Sequence, residues 1–301
     1  MTIAKLHEDE VDIDAGLVRR LLADQHPRWA DLPVRPVDDQ GTVNAVFRLG
    51  DAHSVRLPRS AAGVASLERE RRWAPVLAAA VPVPLPEPVA DGRPALGYPF
   101  PWTICRWLDG TPPVGPVDDD RLARDLAGLV RALRSIDAAG APSSRRGAVA
   151  LAGRDDVTTT AIGSLADAVD RGPVLAAWRD ALDAPAWDGT PRWTHGDLLP
   201  PNLLVVDGRL AGVLDLGGIG VGDPACDLLP AWSALTGPAR STFRHALGVD
   251  DGTWRRGRGW ALSIAALIEP YYRHTHPAFA AMAVRTLAQV VADRGGSDGP
   301  R

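Results

Sequence analysis

The chain has 301 residues, a formal net charge of −4 and 46% hydrophobic residues. That length suits one large domain or two smaller ones, the apolar share is ample for a core, and mild acidity without any basic run or stripe excludes a nucleic-acid-binding footprint. With no signal-peptide pattern at residues 1–10 and no apolar run long enough to span a bilayer, a soluble, cytoplasmic protein without a membrane partner is expected. Cys105 and Cys226 form neither a metal pattern nor a disulfide framework, so reduced, buried thiols are expected.

Residues 11–22 have helical spacing and are expected to cover the edge of a first lobe. Two strand-like runs, 43–49 and 53–57, meet at Gly50-Asp51, a hairpin signal. Residues 60–80 read as a helix with Ser60 as N-cap and a kink or break at Pro75. On it Glu70, Trp73 and Leu77 share a face that can point inward beside the sheet. Residues 81–116 are rich in proline and glycine, which marks a linker between lobes, and 102–110 fit a last strand running into a hinge. Residues 120–136 are amphipathic, with Leu122, Leu126, Leu129 and Leu133 expected in the core; 139–153 read as a loop. Further helical patterns cover 178–186, 227–235, 254–272 and 277–291, and 295–301 read as a frayed tail.

The chemistry-bearing stretch is His195-Gly196-Asp197-Leu198-Leu199-Pro200-Pro201-Asn202, followed by Asp215-Leu216-Gly217. H-x-D-x-x-x-x-N and then D-x-G is the order in which a kinase-like catalytic loop supplies a base and an Asn/Asp pair holds magnesium. Apolar runs flank Asp207-Gly208, a signal for a tight type I′ hairpin. Counting outward from that turn sets Val206 against Arg209 and Asn202 against Val213. Asp215 then shares a face with Asn202 as its diagonal neighbour, roughly 7–8 Å away. Two such oxygen donors can share a hard cation, and Mg2+ takes few protein oxygens beside phosphates and water. Asp197, on the loop entering the hairpin, is placed to accept a hydrogen bond from an incoming hydroxyl. Pro200 and Pro201 stiffen that loop. A surface hairpin with ordinary turn and capping residues is the competing reading, and the correctly spaced D-x-G counts against it.

The run 195–228, including Gly220-Val221-Gly222-Asp223-Pro224-Ala225-Cys226-Asp227-Leu228, resembles the aminoglycoside phosphotransferase family of small-molecule kinases. The resemblance extends to Val43-Asn44-Ala45-Val46-Phe47-Arg48-Leu49-Gly50, Ser54-Val55-Arg56-Leu57-Pro58, Glu70-Arg71-Arg72-Trp73 and Tyr98-Pro99-Phe100-Pro101-Trp102, and so covers most of the chain. It implies an α+β, protein-kinase-like, two-lobed fold: an N-terminal antiparallel-sheet lobe with a helix over 1–107, and a larger, mainly helical lobe over 108–301. It also implies transfer of the γ-phosphoryl group of ATP or GTP, with Mg2+, to the hydroxyl of a small acceptor. An aminoglycoside leads, with macrolides, other antibiotics and metabolic sugars or amino alcohols as rivals. Within the resemblance, residues 40–44 are the phosphate-covering loop, with Thr42 and Asn44 near the phosphates. Arg56 stands where lysine is usual, to pair with the helix carboxylate Glu70 and contact phosphate; Lys5 is the only lysine in the chain. Arginine keeps the charge and offers a planar fork from a different reach. The backbone from Arg106 to Leu108 is implied to bond the purine edge, Asp197 to be catalytic, and Asn202 and Asp215 to hold the metal.

Asp223 before Pro224 is the signature of a helix start, Asp227 one turn later reads as structural, and His195 as a brace for the loop. Glu269, Asp250, Asp251, Asp155 and Asp156 could line an acceptor pocket, but solvated carboxylates are the default. Trp232, Trp260, Tyr271 and Tyr272 could wall it, with core packing the default. A protein kinase should show G-x-G-x-x-G and A-P-E segments, and neither occurs. The Gly-Asn-His of a metallophosphoesterase, the Gly-Lys-Ser/Thr of a P-loop and the G-x-S-x-G of a serine hydrolase are also absent. A nucleotide-binding pseudokinase is the remaining alternative, since Arg56 and a phosphate loop with one glycine depart from the pattern.

Overall fold

The computed structural model describes residues 10–37 and 43–297, with the side chains of 296 and 297 excepted. Thr42, with Gln40 and Gly41 of the expected phosphate loop, lies outside the described residues. The chain divides into two units, residues 1–79 with 84–109 and residues 80–83 with 110–301. No helix among the described residues is long and apolar enough to cross a membrane.

In the first unit, α1 (Ala15–Gln25) starts later than its spacing predicts, because Asp14 caps it by accepting the Leu17 N–H at 2.7 Å. The strands β1 (Val34–Pro36), β2 (Asn44–Leu49), β3 (His53–Pro58), β4 (Pro88–Gly92) and β5 (Trp102–Arg106) form one antiparallel sheet in the order β1-β2-β3-β5-β4. Alternation sends Ala45, Phe47, Leu49, Val55, Leu57 and Ile104 to one face, where they form a core with Leu17, Val18, Leu21 and Leu22 of α1. The other face therefore carries Asn44, Arg56 and Thr103, and α2 (Ala61–Ala78) packs against β3. Two expectations are corrected here. Helix α2 continues through Pro75 to Ala78, so of the expected kink or break the break does not occur. The stretch expected as a linker supplies the strand β4, while β5 is the strand expected from residue 102 and lies inside the sheet. Its Pro88 opens the edge strand beside a register shift, a position where a missing N–H is tolerated.

The second unit opens with α3 (Asp120–Ser135), whose Leu122, Leu126, Leu129 and Leu133 are buried as their spacing predicts. Next come α4 (Asp155–Gly163), which the sequence pattern does not reveal, and α5 (Arg171–Leu182), which Asp170 starts earlier than expected by capping the Gly172 N–H. Two small antiparallel pairs follow: β6 (Arg192–Thr194) with β9 (Gly220–Gly222), and between them in sequence the hairpin β7 (Leu203–Val206) and β8 (Arg209–Val213). Four helices complete the unit: α6 (Pro230–Ser233), α7 (Gly237–Leu247), α8 (Asp251–Tyr272) and α9 (Pro277–Ser297). Helix α9 continues into the segment expected as a frayed tail.

The loop 142–147 is laid along β9 by backbone alone. Ser144 N–H donates to Val221 O at 3.0 Å, Val221 N–H to Pro142 O at 2.8 Å and Asp223 N–H to Gly147 O at 2.8 Å. Glycine is required for that approach: a Cβ at Gly222 would lie 2.4 Å from the Gly147 carbonyl carbon, and one at Gly220 2.5 Å from Pro142 O. Gly222→Ala is expected to lower stability in denaturant titration by about 1–3 kcal/mol, the range for forced overpacking, through displacement of this loop.

Candidate active site

The loop after β6 is held from beneath by a buried carboxylate. Asp227, 1% exposed, accepts the N–H of His195 at 2.9 Å and of Gly196 at 2.7 Å. Burial pushes its pKa up, and these two amides and the Arg134 guanidinium pull against that rise. His195 braces the loop from a second side: its Nδ1 accepts the Asp197 N–H at 3.2 Å, so its Nε2 is the nitrogen that donates to Leu214 O at 3.0 Å. Asp223 caps the following turn through the Ala225 N–H and is itself held by Arg256 at 2.9 Å. With these supports the half-buried Asp197 side chain projects from a loop whose backbone has little freedom.

The hairpin turn is of the expected kind, with positive φ at both Asp207 (50°) and Gly208 (73°), but its register is not. Val206 faces Arg209 and Val205 faces Leu210; an irregularity between Leu204 and Val205 then places Leu203 against Val213. Asn202 is thus opposite Leu214, whose N–H donates to Asn202 O at 2.8 Å, and not opposite Val213. A bulge adds one residue to one strand and re-aims the side chains beyond it. Asp215 does not continue the strand: it adopts a left-handed conformation (φ 58°, ψ 74°), and its Oδ1 accepts the Gly217 N–H at 3.3 Å. Left-handed backbone in a non-glycine residue is best tolerated by Asp and Asn, and it concentrates at functional sites.

Asn202 ends a 3-10 turn, Pro200–Asn202, and its Nδ2 donates to the Asp197 carbonyl at 2.8 Å. That bond assigns Oδ1 as the oxygen left for another partner. Asp215 similarly keeps Oδ2. Among the described residues there is no group of three or more His, Cys, Asp or Glu side chains that could hold a metal. This oxygen-only pair therefore fits an ion such as Mg2+, which completes its shell with water and phosphate, and does not fit a closed protein cage.

A residue that no sequence motif singles out joins the loop. Arg146, in the stretch read as a polar loop, donates to Gly196 O at 2.9 Å and forms an ion pair with Asp197 Oδ1 through the same nitrogen. Burial works to lower its pKa, but the charge and hydrogen bond of Asp197 and the field of Asp215 outweigh burial and hold the guanidinium charged. The sequence signal was the Gly220-x-Gly222 spacing, which lets the 142–147 backbone lie against β9 and brings Arg146 to Asp197.

In the first unit, Arg56 and Glu70 are buried and paired by both guanidinium nitrogens, Nη2 donating to Oε1 at 3.1 Å and Nη1 to Oε2. Asn44 is buried on the same sheet face, and its Oδ1 has no hydrogen-bond partner among the described residues. Arg106 N–H is taken by Glu87 O and Trp107 N–H by Ala52 O, both at 2.9 Å. Of this stretch, the Leu108 N–H has no hydrogen bond among the described residues. The Arg106 side chain pairs with Glu87, and both line a cavity of about 790 Å³ together with Leu108, Ala74 and Pro75.

Residues 34–260 match the phosphotransferase enzyme family, APH. No curated protein matches the chain. Among solved structures, aminoglycoside 2'-phosphotransferase-IIIa in its GDP complex is similar at 20% identity, with 94% of this chain and 100% of that one covered and a TM-score of 0.73. Macrolide 2'-phosphotransferase MphH from Brachybacterium faecium, an apoenzyme, is similar at 22% identity over 96% and 99% of the two chains, with a TM-score of 0.60. The streptomycin–ATP ternary complex of APH(2")-IIa is similar at 17% identity over 85% and 88%, with a TM-score of 0.58. The antiparallel five-stranded sheet, the mainly helical second unit and these likenesses agree on one α+β, kinase-like fold. With three quarters of its length matching, the chain belongs to the phosphotransferase enzyme family and is a kinase of the kind typified by aminoglycoside phosphotransferases.

Proposed function

We propose that this enzyme transfers the γ-phosphoryl group of ATP or GTP to a hydroxyl of a small acceptor, with Mg2+. The observation that carries the reading is the braced loop itself, where Asp197, the amide of Asn202 and Leu214, next to the left-handed Asp215, are tied into one hydrogen-bonded frame. When bound, Mg2+ supplies neutralisation of the charge on the phosphate oxygens, with Asn202 and Asp215 as its protein ligands. Asp197 orients the acceptor hydroxyl and takes its proton. Arg146 occupies Oδ1 and so leaves Oδ2 for that work. Arg56, fixed by Glu70, neutralises phosphate charge, and the Leu108 N–H is available to the base. In such a mechanism the protein contributes position and electrostatics more than covalent chemistry.

The nucleotide donor is supported by structural neighbours whose names carry GDP or ATP. Their acceptors include aminoglycosides, and others of them are macrolide enzymes, so an antibiotic is a natural acceptor class to test. A phosphate group would add about 1.5 to 2 negative charges to such a drug and block its binding to its target. Likeness of fold does not choose among acceptors, which differ in charge; that choice belongs to the side chains beside the base.

Asp197→Ala is expected to lower transfer by about 10²–10⁴-fold, the usual scale for a general base, while magnesium–nucleotide binding persists. Mass spectrometry of the product beside calorimetric nucleotide titration checks this, and wild-type turnover in the variant would refute the assignment. Asp215→Ala should instead abolish the magnesium dependence of nucleotide affinity in the same titration. For the buried pair, Arg56→Ala and Glu70→Ala should each destabilise the fold by about 3–5 kcal/mol, because each leaves an uncompensated charge. The double variant should fall well short of their sum, with a coupling of about 1–3 kcal/mol in a double-mutant cycle by urea unfolding.

A further inference from the structure

The loop that carries Asp197 has no lysine or arginine of its own, in residues 195–202 or in the following 215–218. A phosphoryl group in transit spreads negative charge over its peripheral oxygens, and that charge needs a partner. Among the described residues, the arginine bonded to the Asp197 loop is Arg146, whose Nη1 donates to Gly196 O at 2.9 Å and also meets Asp197 Oδ1. Its own loop seats it there. The Oγ of Ser144, a residue 3% exposed, accepts the N–H groups of Arg146 at 3.4 Å and Gly147 at 3.3 Å and donates to Gly218 O at 3.5 Å. The Arg145 N–H reaches the same carbonyl at 3.1 Å. Gly218 closes the turn Leu216–Gly218 that Asp215 caps, so one short loop is bonded both to the Asp215 turn and to the Asp197 loop. A Cβ on Gly196 would lie 3.8 Å from Arg146 Cβ and 3.2 Å from Ser144 Oγ, so the stem of Arg146 lies against the glycine that precedes Asp197.

A single nitrogen carries both of those bonds. Nε and Nη2 of Arg146 have no hydrogen bond among the described residues and are not sealed from solvent; the side chain is 31% exposed. A guanidinium presents its N–H donors in a planar fork and stays charged at any ordinary pH, so its remaining edge can bind a second oxyanion without releasing the first. An acceptor hydroxyl bonded to Asp197 Oδ2 sits about 2.6–3.2 Å from it, and the phosphorus it attacks lies about 3–3.5 Å further on. A guanidinium in contact with the other oxygen of the same carboxylate therefore has its free edge within reach of the phosphoryl oxygens. Arg56 has less to give, since the two oxygens of Glu70 engage two of its nitrogens.

We propose that Arg146 is a catalytic residue, a cation supplied in cis that binds the oxygens of the γ-phosphoryl group while it holds Asp197. In the step, the acceptor oxygen forms a bond to the γ-phosphorus, and the bond from that phosphorus to the β–γ bridging oxygen breaks, its electron pair leaving with the nucleoside diphosphate. The acceptor proton passes to Asp197. Arg146 keeps its own protons throughout and compensates the charge on the phosphoryl oxygens. This assignment rests on the reading of Asp197 as the base of a phosphotransferase.

The test uses the full chain with nucleotide and needs no acceptor. Calorimetric titration in the presence of Mg2+ gives Kd for AMP-PNP against ADP, and for GMP-PNP against GDP, in the wild type and in Arg146→Ala, Arg146→Lys and Asp197→Ala. Arg146→Ala should weaken binding of the triphosphate analogue by about 10- to 100-fold, the scale of a charge-assisted hydrogen bond. Binding of the diphosphate should be unchanged, which also shows that the fold is intact. Arg146→Lys should recover part of the loss. Asp197→Ala, which removes a negative charge, should not lower the affinity for the triphosphate analogue relative to the diphosphate. An equal loss for both nucleotides, or an Arg146→Ala variant that binds the triphosphate analogue as tightly as the wild type does, overturns the assignment and leaves Arg146 as a clamp on its loop. A ratio that falls as far in Asp197→Ala as in Arg146→Ala overturns it too, because Arg146 would then act only through Asp197. Wild-type protein that binds no nucleotide with Mg2+ overturns the phosphotransferase reading itself, and the assignment with it.

Discussion

The second unit is organised around one buried negative charge. Asp227 accepts two successive backbone amides, those of His195 and Gly196, and its removal from water is the cost of fixing the turn that precedes Asp197. A buried carboxylate is stable only where oriented dipoles replace its hydration. Here the dipoles belong to the loop whose shape matters most, so satisfying the charge and shaping the loop are the same event. His195 extends this logic sideways to Leu214, and Asn202 extends it forward to the Asp197 carbonyl. Asp197, Asn202 and the strand end are thus tied to one anion by short hydrogen-bonded paths.

Much of this was legible in the residues and some of it was not, for physical reasons that can be named. Local signals held where the chemistry is local: the Asp207-Gly208 turn, the apolar stripe of α3, the Asp223-Pro224 cap and the inward carboxylate of Glu70. Counting along the strands failed where one residue of slippage decides the outcome. The bulge in β7–β8 moved the partner of Asn202 from Val213 to Leu214, and the left-handed Asp215 ended the alternation on which the count relied. Proline misled twice, since composition cannot show whether a missing N–H falls at a helix end or on an edge strand. Arg146 was out of reach for another reason: it meets Asp197 across 51 positions of sequence, through a loop with no secondary structure of its own to mark it.

The two units hold a guanidinium in place in different ways. Arg56 is buried and saturated by a bidentate carboxylate, so its position is rigid and its net field modest. Arg154 is held by a hydroxyl and an aromatic face, neither of which cancels its charge. The first arrangement suits a group that must stay in place whatever is bound. The second leaves the charge without a counter-ion among the described residues.

Reliance on arginine at the position where kinases commonly keep lysine has a chemical consequence of its own. The described residues contain no lysine, and the Arg56 guanidinium stays protonated at any ordinary pH. A nucleotide analogue armed with an acylating electrophile needs an unprotonated amine to attack it, and Lys5 is the only lysine side chain in the chain that can supply one. Among the described residues such reagents, which tag kinases through the amine beside the phosphates, have no lysine to attack. Apart from Lys5, a covalent handle on this chain would have to be chosen for thiol, guanidinium or carboxylate chemistry.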